Sequence, residues 1–334
     1  MEFLAILVAL GILQLRGSTP LQQDRWYAGY RRWIAARLHG IPRQAALILV
    51  PVIAVVLLQR AASGRLFGLA ELALFVLVLL YALGRGNLAA ALTDYLQRWS
   101  RGDFQAAFRQ LSTEAAGGSP EPDAVVHPQA LHELARRRLY YRHFERLFAV
   151  LFWFVVLGPA GALAYRIAVL EREASRGESG MPAGPASAAV VEPVGGAVDD
   201  VAATAVVESL DDVVAAAVAE PALEAVSAAV EESALLRWVE WLPARLAGIS
   251  FALVGDFDAC LYAWQRVMAE ARLATAEALE RCGNAALTFA APAAEEATDT
   301  LIARGSRELQ AIENLNGRAL LVWLAIIAAL AMIF

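Results

Sequence analysis

The sequence has no lysine, only two cysteines and four histidines, and its charged residues amount to 19% of the chain. Two cysteines in 334 residues exclude a small secreted domain held together by disulfides. A net charge of −6 and a pI of about 5.4 exclude a nucleic-acid-binding protein, because such proteins carry a strongly basic surface. The low proportion of charge also excludes an intrinsically disordered chain.

Apolar residues are abundant instead. They make up 59% of the chain, and the mean hydropathy is +0.50. Soluble domains contain about 45–50% apolar residues, so the excess is substantial. It is concentrated in long uncharged runs, which is typical of an integral membrane protein.

Five apolar segments are candidate membrane helices, because a crossing needs about 20 mostly apolar residues and unpaired backbone groups are not tolerated in lipid. They are residues 3–15, 44–59, 66–84, 147–165 and 319–334. The first is short, but it lacks the basic start and the small-residue cleavage site of a signal peptide, which favours an anchored helix. The predicted fold is an all-α polytopic membrane protein with four to five transmembrane helices and amphipathic surface helices.

Arginine placement predicts the topology. Residues 16–43 carry six Arg and one acidic residue, and residues 85–146 carry nine Arg and seven acidic residues. The positive-inside rule places both in the cytoplasm, joined by a helical hairpin at 44–84. If 147–165 crosses once, the acidic region after it lies outside. The run Gly-Pro-Ala-Gly at 158–161 offers the alternative of a re-entrant pair, which returns the chain to the same side.

Three regions are expected along the chain. Residues 1–170 form a membrane region with a helical cytoplasmic loop at 85–146, and residues 236–334 form a helical region that ends in a transmembrane helix. Residues 171–235 contain no aromatic residue and eleven acidic residues between Arg176 and Arg237. We predict a flexible acidic insert there, either a solvated linker or an acidic interaction segment.

No catalytic or metal-binding motif is present: there is no zinc-protease signature, no phosphate-binding loop and no nucleophile elbow. His127 and His132 differ by five positions, which does not stack them on one helical face. We therefore predict no catalytic residue, metal or cofactor. Charged residues at the borders of apolar segments are the candidates for binding a ligand or a partner: Arg101, Asp103, Arg142, Glu145, Arg245 and Asp256.

Two of these candidates have alternative interpretations. The segment 142–146 directly precedes an apolar run, so it can be a basic membrane anchor with pairing between residues three apart. Arg245 either extends towards the membrane interface or binds a buried acidic group.

Two blocks of sequence resemble the AmpE family of bacterial inner-membrane proteins. One is Phe-Ala-Val-Leu-Phe-Trp-Phe at 148–154 with Leu-Gly-Pro-Ala-Gly-Ala-Leu-Ala-Tyr-Arg at 157–166. The other begins Trp-Leu-Pro-Ala-Arg-Leu at 241–246. The resemblance covers about residues 1–170 and 236–334, without a counterpart for the acidic insert. It implies a role in β-lactamase regulation, and the family is encoded beside the cell-wall amidase AmpD.

The AmpE family is itself similar to the CobD/CbiB family, membrane enzymes that form an amide during cobalamin synthesis. That family has a Ser-Arg-Asp-Thr type motif, whereas this chain reads Ser-Arg-Gly-Asp-Phe at 100–104. It also has an Ala-Glu-Asn stretch where this chain reads Tyr-Arg-His-Phe-Glu-Arg at 141–146. The altered motifs argue against the ligase chemistry.

The sequence thus leads to a membrane signalling protein of the AmpE type, multi-pass in the bacterial inner membrane, linked to β-lactamase induction and the cell-envelope response. Its expected partners are the lipid bilayer and cell-wall recycling or β-lactamase regulatory proteins, and no nucleic acid. One alternative is an amide-forming enzyme of the CobD/CbiB type. Another is a small-solute transporter, which is disfavoured because Glu71 is the only charge inside a predicted span and no internal repeat is found.

Overall fold

The computed structural model describes residues 2–16, 24–39, 41–62, 68–83, 88–116, 127–179, 234–270, 272–289 and 297–333. Helices dominate these ranges, and no strand occurs within them, so the predicted all-α class is confirmed. Most of the predicted acidic insert, residues 180–233, lies outside the described ranges. Its first nine residues, 171–179, belong to a helix that extends past the expected boundary at 170.

Twelve helices are assigned in the described ranges. They are α1 Glu2–Arg16, α2 Arg25–Ala35, α3 Ile41–Ala62, α4 Leu69–Ala82, α5 Leu88–Ser100, α6 Phe104–Ala116, α7 Pro128–His143, α8 Ala149–Ser179, α9 Ala234–Val254, α10 Phe257–Ala269, α11 Thr275–Ala286 and α12 Thr298–Ile333. A single π-helical turn, Phe144–Phe148, joins α7 to α8 without a loop.

Three helical segments are long and apolar enough to cross a bilayer: Ala45–Ala62, Pro128–Ser175 and Thr298–Ile333. Two shorter apolar helices, Glu2–Leu15 and Leu69–Ala82, accompany them. The first segment is 6% buried, and large apolar side chains such as Leu49, Ile53 and Leu57 are about half exposed. A long apolar helix with so little buried surface is typical of a helix covered by lipid, so the bilayer is the environment of these helices.

Helix α8 reverses direction at Gly158. The backbone of Gly158 has φ 68° and ψ −158°, far from helical values, and Pro159 follows it. Glu145 and Arg172 form an ion pair although 27 residues separate them, a distance of about 40 Å in a straight helix. A side chain at Gly161 would clash with the backbone of Trp153, eight residues earlier. The chain therefore forms a helical hairpin, with a first arm at 149–157 and a second arm at 159–179.

For residues 147–165 the sequence predicts either a single crossing or a re-entrant pair, and the hairpin distinguishes between them. The single crossing is wrong, because the ends of the segment lie beside each other. The alternative, in which the Gly-Pro-Ala-Gly run at 158–161 breaks the helix, is confirmed. Glycine and proline permit the break because glycine adopts a positive φ without strain, and proline lacks the amide hydrogen that would continue the helix.

The short helix α2 lies across the ends of three apolar helices and is held there by polar bonds. The Tyr30 hydroxyl donates to the backbone of Ala46 on α3 at 2.9 Å. The Trp26 indole donates to Tyr81 on α4 at 3.0 Å, and the Tyr27 hydroxyl donates to Glu171 on α8 at 2.7 Å. Because the second arm of α8 reaches α2, the end of this arm lies on the same side as the start of α3.

The C-terminal helices form a second layer against α7. Helix α9 packs on α10 and α11, where Gly255 lies against the backbone of Ala286. Gly283 of α11 lies directly against the ring of Tyr140 on α7, without room for a side chain. The predicted amphipathic surface helices include two pairs, α5 with α6 and α10 with α11. The apolar residues around position 246 belong to the 21-residue helix α9.

Candidate functional site

Arg101 and Asp103 are exposed in the turn between α5 and α6, where Gly102 has a φ of 73°. The Asp103 carboxylate accepts a hydrogen bond from the backbone nitrogen of Ala106 at 2.9 Å. This bond caps the N-terminus of α6, since the first backbone N–H groups of a helix lack partners inside it. Asp103 therefore has a structural role as a helix cap, whereas the Arg101 side chain lies exposed at the surface.

Arg245 is 3% exposed and belongs to the interior of the C-terminal layer. Its guanidinium lies 4.3 Å from the centre of the Trp241 ring, and it donates to the Trp241 carbonyl at 3.1 Å and to the Glu270 carbonyl at 3.4 Å. Asp256 is exposed and caps α10, accepting from the backbone of Ala259 at 2.9 Å. Both residues hold the α9–α10 corner together, where the Arg245 guanidinium contacts backbone carbonyls and an aromatic ring.

Arg142 and Glu145 are the two candidates that the structure brings together, at the π-helical turn that leads into α8. Glu145 pairs with Arg172 from the second arm of the hairpin, a partner far outside the expected three-residue spacing. The six candidates therefore have three different surroundings: the α5–α6 turn, the α7–α8 junction and the α9–α10 corner. They do not share one set of neighbours.

A cluster of buried polar side chains, which the sequence did not predict, surrounds this pair. We call Tyr141, Glu145, Tyr165, Arg172 and Glu240 the polar cluster. Glu240 is 0% exposed, and it accepts from the Tyr165 hydroxyl at 2.7 Å and from the Tyr141 hydroxyl at 3.1 Å. Arg172 donates to the Tyr141 hydroxyl and to the Glu145 carboxylate. The cluster thus joins α7, both ends of the hairpin and α9.

The charges of the polar cluster are nearly balanced. It contains two carboxylates and one guanidinium, while Arg142 and Arg166 are further positive charges near Glu145. Burying such groups costs free energy unless they are paired and hydrogen-bonded, and ionisable groups inside membrane helices are usually functional for that reason. Arg172 Nε is buried without a hydrogen-bond partner in the part of the chain that the structure describes.

Sequence reasoning missed this cluster because its hydrogen-bonded partners are 27 to 99 residues apart along the chain. One local signal was available: Glu240 is an acidic residue on the apolar helix α9, five positions before Arg245. A charge in such a helix indicates a buried partner. The identity of that partner depends on the reversal at Gly158, which brings Tyr165 and Arg172 back to α7.

A second ionic cluster joins α7 to α11 and α12. The His132 ring lies 2.7 Å from the Glu308 carboxylate, which Arg304 also approaches at 3.1 Å. Arg136 bridges Glu308 at 3.4 Å and Glu280 at 3.3 Å. Burial raises the pKa of Glu280, and nearby arginines oppose the shift without cancelling it. No group of three or more potential metal ligands occurs among the residues described.

The two cysteines, Cys260 and Cys282, are both buried and free. The thiol of Cys260 lies 3.3 Å from the backbone carbonyl of Cys282, so the helices α10 and α11 are in close contact there. Both therefore serve as small buried side chains between these two helices.

Exposed apolar helices around an interior that holds paired charges define an integral membrane protein of the α-helical class. The chain belongs to the AmpE family, described as regulatory signalling modulator protein AmpE, whose family model matches residues 8–174 and 198–328. The match resumes at 198, so most of the predicted insert does have a counterpart in the family, contrary to the expectation from the sequence. Comparisons with curated proteins and with solved structures found no match.

Proposed function

We propose that this protein is a signalling protein of the bacterial inner membrane that acts in β-lactamase induction and in the response to cell-wall antibiotics. Family membership supports a regulatory role. The observation that carries the proposal is the polar cluster, because it places three charged side chains, Glu145, Arg172 and Glu240, in the interior of the protein. Such groups are costly to bury and are retained where they bind, switch or conduct.

The proposed topology has four crossings: α1, α3, α4 and the C-terminal half of α12. The hairpin of α8 enters from the cytoplasmic side and returns to it. The uncharged stretch from residue 147 to the end of its first arm at 157 measures about 17 Å at 1.5 Å per residue, about half of a 30 Å hydrocarbon layer. The arginine-rich segments 16–43 and 85–146 then both lie in the cytoplasm, in agreement with the positive-inside rule.

The polar cluster is proposed as the element that changes with the signal. Arg172 at the base of the hairpin contacts Tyr141 and Glu145, and the Tyr141 hydroxyl in turn contacts Glu240 on α9. A signal that displaces Arg172 would also change the environment of Glu240. Signalling then consists of a shift between two arrangements of the hairpin relative to α9, driven by a ligand or partner that binds one arrangement more tightly.

Exposed charges outside the cluster are proposed as contacts for the partner proteins. Arg101 and Asp103 lie at the surface of the α5–α6 turn, and Asp256 lies at the surface of the α9–α10 corner. In the proposed topology both surfaces face the cytoplasm, where regulatory proteins of cell-wall recycling or β-lactamase expression are accessible. Among the sequence candidates, Glu145 belongs to the polar cluster, and Arg142 is a positive charge near it.

The test is complementation of a deletion strain. We expect deletion of the gene to change β-lactamase induction or sensitivity to cell-wall antibiotics, and wild-type protein to restore both. Glu240→Gln keeps the size of the side chain but removes its charge, and Tyr165→Phe removes one donor to Glu240. Both variants should fail to restore the response at wild-type membrane levels, whereas Tyr262→Phe, at a tyrosine that is 65% exposed, should restore it.

Two results contradict this proposal, and they are distinguishable. An unchanged response in the deletion strain would exclude the function itself. Full complementation by Glu240→Gln, with the deletion showing a defect, would exclude the polar cluster as the signalling element. Membrane levels measured by immunoblot separate a signalling defect from a loss of folded protein.

A further inference from the structure

A pocket of about 430 Å³ lies between α2, the first turn of α3 and the second arm of α8. It is separate from the polar cluster, none of whose residues lines it. Its charged lining residues come from all three helices: Asp24, Arg31 and Arg32 from α2, Arg43 from α3 and Glu173 from α8. Three arginines converge on one small space, which is unusual unless an anion is bound or carboxylates match them.

Two of these lining charges are matched by residues just outside the lining. Arg31 pairs with Glu171 at 3.1 Å, and the same carboxylate accepts from the Tyr27 hydroxyl. Asp24 pairs with Arg166 at 3.0 Å. These pairs fasten α2 to α8 and therefore keep the walls of the pocket in place. They also neutralise the charges of Arg31 and Asp24, which leaves neither charge for a ligand.

The remaining charged residues of the lining are two arginines, Arg32 and Arg43, and one carboxylate, Glu173. Arg43 Nε is buried and has no hydrogen-bond partner among the described residues, which is costly for a charged donor. Arg32 is exposed, and its Nε donates only weakly, at 3.4 Å, to the Ala28 carbonyl of its own helix. Two positive charges against one negative charge leave about one positive charge in the pocket, which matches a phosphodiester.

The pocket lies at the level where α3 enters its apolar span. Arg43 precedes that span, Ala45–Ala62, by two residues. On α2, Trp26 and Trp33 are 43% and 52% exposed, and Arg37 lies over the ring of Trp33. Exposed tryptophans with basic neighbours are typical of the interface between lipid and water, where lipid phosphates are found.

We propose that this pocket binds a phosphate group, carried by a membrane phospholipid, through Arg32 and Arg43. The guanidinium groups donate to the phosphate oxygens, while the acyl chains extend along the apolar surface beside α3. Leu170 and Ala174 form the apolar part of the pocket wall, on the second arm of α8. A bound headgroup would therefore bridge α2, α3 and the end of the hairpin.

The experiment uses the full-length protein purified in detergent and mixed with phosphatidylglycerol, cardiolipin or phosphatidylethanolamine. Native mass spectrometry measures the lipid that each variant retains. We expect Arg43→Gln and Arg32→Gln each to lower retention about tenfold, the factor for losing one charge-assisted hydrogen bond. Ala174→Leu should lower it as well by filling the pocket without a change of charge. Arg60→Gln, the same substitution at an exposed position near the other end of α3, should leave it unchanged.

A competition arm distinguishes the source of the phosphate. Inorganic phosphate and glycerol phosphate are added at millimolar concentration to the lipid-loaded wild type and to Arg43→Gln. Retention of lipid under these conditions supports a phospholipid as the ligand, and displacement that depends on Arg43 supports a soluble phosphate compound in the same pocket. Equal retention by wild type, Arg43→Gln and Ala174→Leu would overturn the proposal, as would an equal loss in Arg60→Gln. Circular dichroism checks that each variant is folded. If Arg43→Gln does not fold, Arg32→Gln and Ala174→Leu are sufficient to test the proposal.

Discussion

Single buried side chains carry most of the specific chemistry of this protein. Glu240 has no exposed surface, yet its carboxylate is matched by two tyrosine hydroxyls. Arg172 is matched by Glu145 in the same way. Removing one partner of a buried pair leaves an uncompensated charge and costs about 3–5 kcal/mol, whereas losing both is often tolerated. Each partner of these buried pairs therefore depends on the other more strongly than the partners of an exposed ion pair do.

Glu280 gives a residue-scale prediction about pH. Burial raises its pKa above 4.5 in the folded protein. The folded state then binds more protons than the unfolded state in the pH range just above 4.5, so the contribution of Glu280 to stability falls as the pH rises through that range. We expect the stability of wild type relative to Glu280→Gln to decrease between pH 4.5 and 7, measured as the thermal midpoint in detergent.

The control for this prediction is Gln265→Ala, at an exposed position on α10. This substitution neither adds nor removes an ionisable group, so the stability difference from wild type should stay nearly constant over the same range. A difference between wild type and Glu280→Gln that is flat or rises with pH would show that Arg136 and Arg137 outweigh burial at this position.

At the scale of the elements, the reversal of α8 depends on one backbone conformation. The angles of Gly158 belong to a region that only glycine occupies readily. Steric crowding does not require a glycine at this position, because a Cβ added to Gly158 would have no atom of the described residues within 4 Å, apart from its chain neighbours. The conformation itself therefore requires glycine, and the hairpin that carries Tyr165 and Arg172 back to α7 depends on it.

Substitution at Gly158 provides the element-scale prediction. Gly158→Ala should lower the free energy of unfolding by about 1–3 kcal/mol, although there is room for the methyl group. Gly317→Ala is the matched control: this glycine lies inside helix α12 with equal space around it, so alanine should raise stability by up to about 1 kcal/mol. Unfolding in detergent measures both, and an equal effect of the two variants would contradict the argument from backbone conformation.

At the scale of the whole molecule, ion pairs place charged residues of α2, α7, α8 and the first half of α12 on one side. His132 and Arg136 of α7 bind Glu308 of α12, and Arg31 of α2 binds Glu171 at the end of the hairpin. The side of α7 is therefore also the side of α2 and of the first half of α12. A single crossing at 147–165 would have separated these groups by the bilayer.

Labelling of single cysteines tests this arrangement. In a background without Cys260 and Cys282, we expect Ala61→Cys to react with an impermeant maleimide added outside intact cells. Arg37→Cys, Arg109→Cys and Arg307→Cys should react only after permeabilisation, because all three lie on the cytoplasmic side in the proposed topology. If Arg307→Cys reacts in intact cells and Arg109→Cys does not, the two positions lie on opposite sides of the membrane, which would contradict this arrangement. All four positions are exposed.

Sequence alone determined the class of this protein, because a run of about 20 apolar residues has one stable environment and one backbone solution there. It also predicted amphipathic surface helices, since helical spacing is a local property. Only the tertiary structure decided that α8 reverses at Gly158, because a Gly-Pro pair permits a kink as well as a turn. It alone also paired Glu240 with Tyr141, 99 residues away, since buried charges find partners through space and not along the chain.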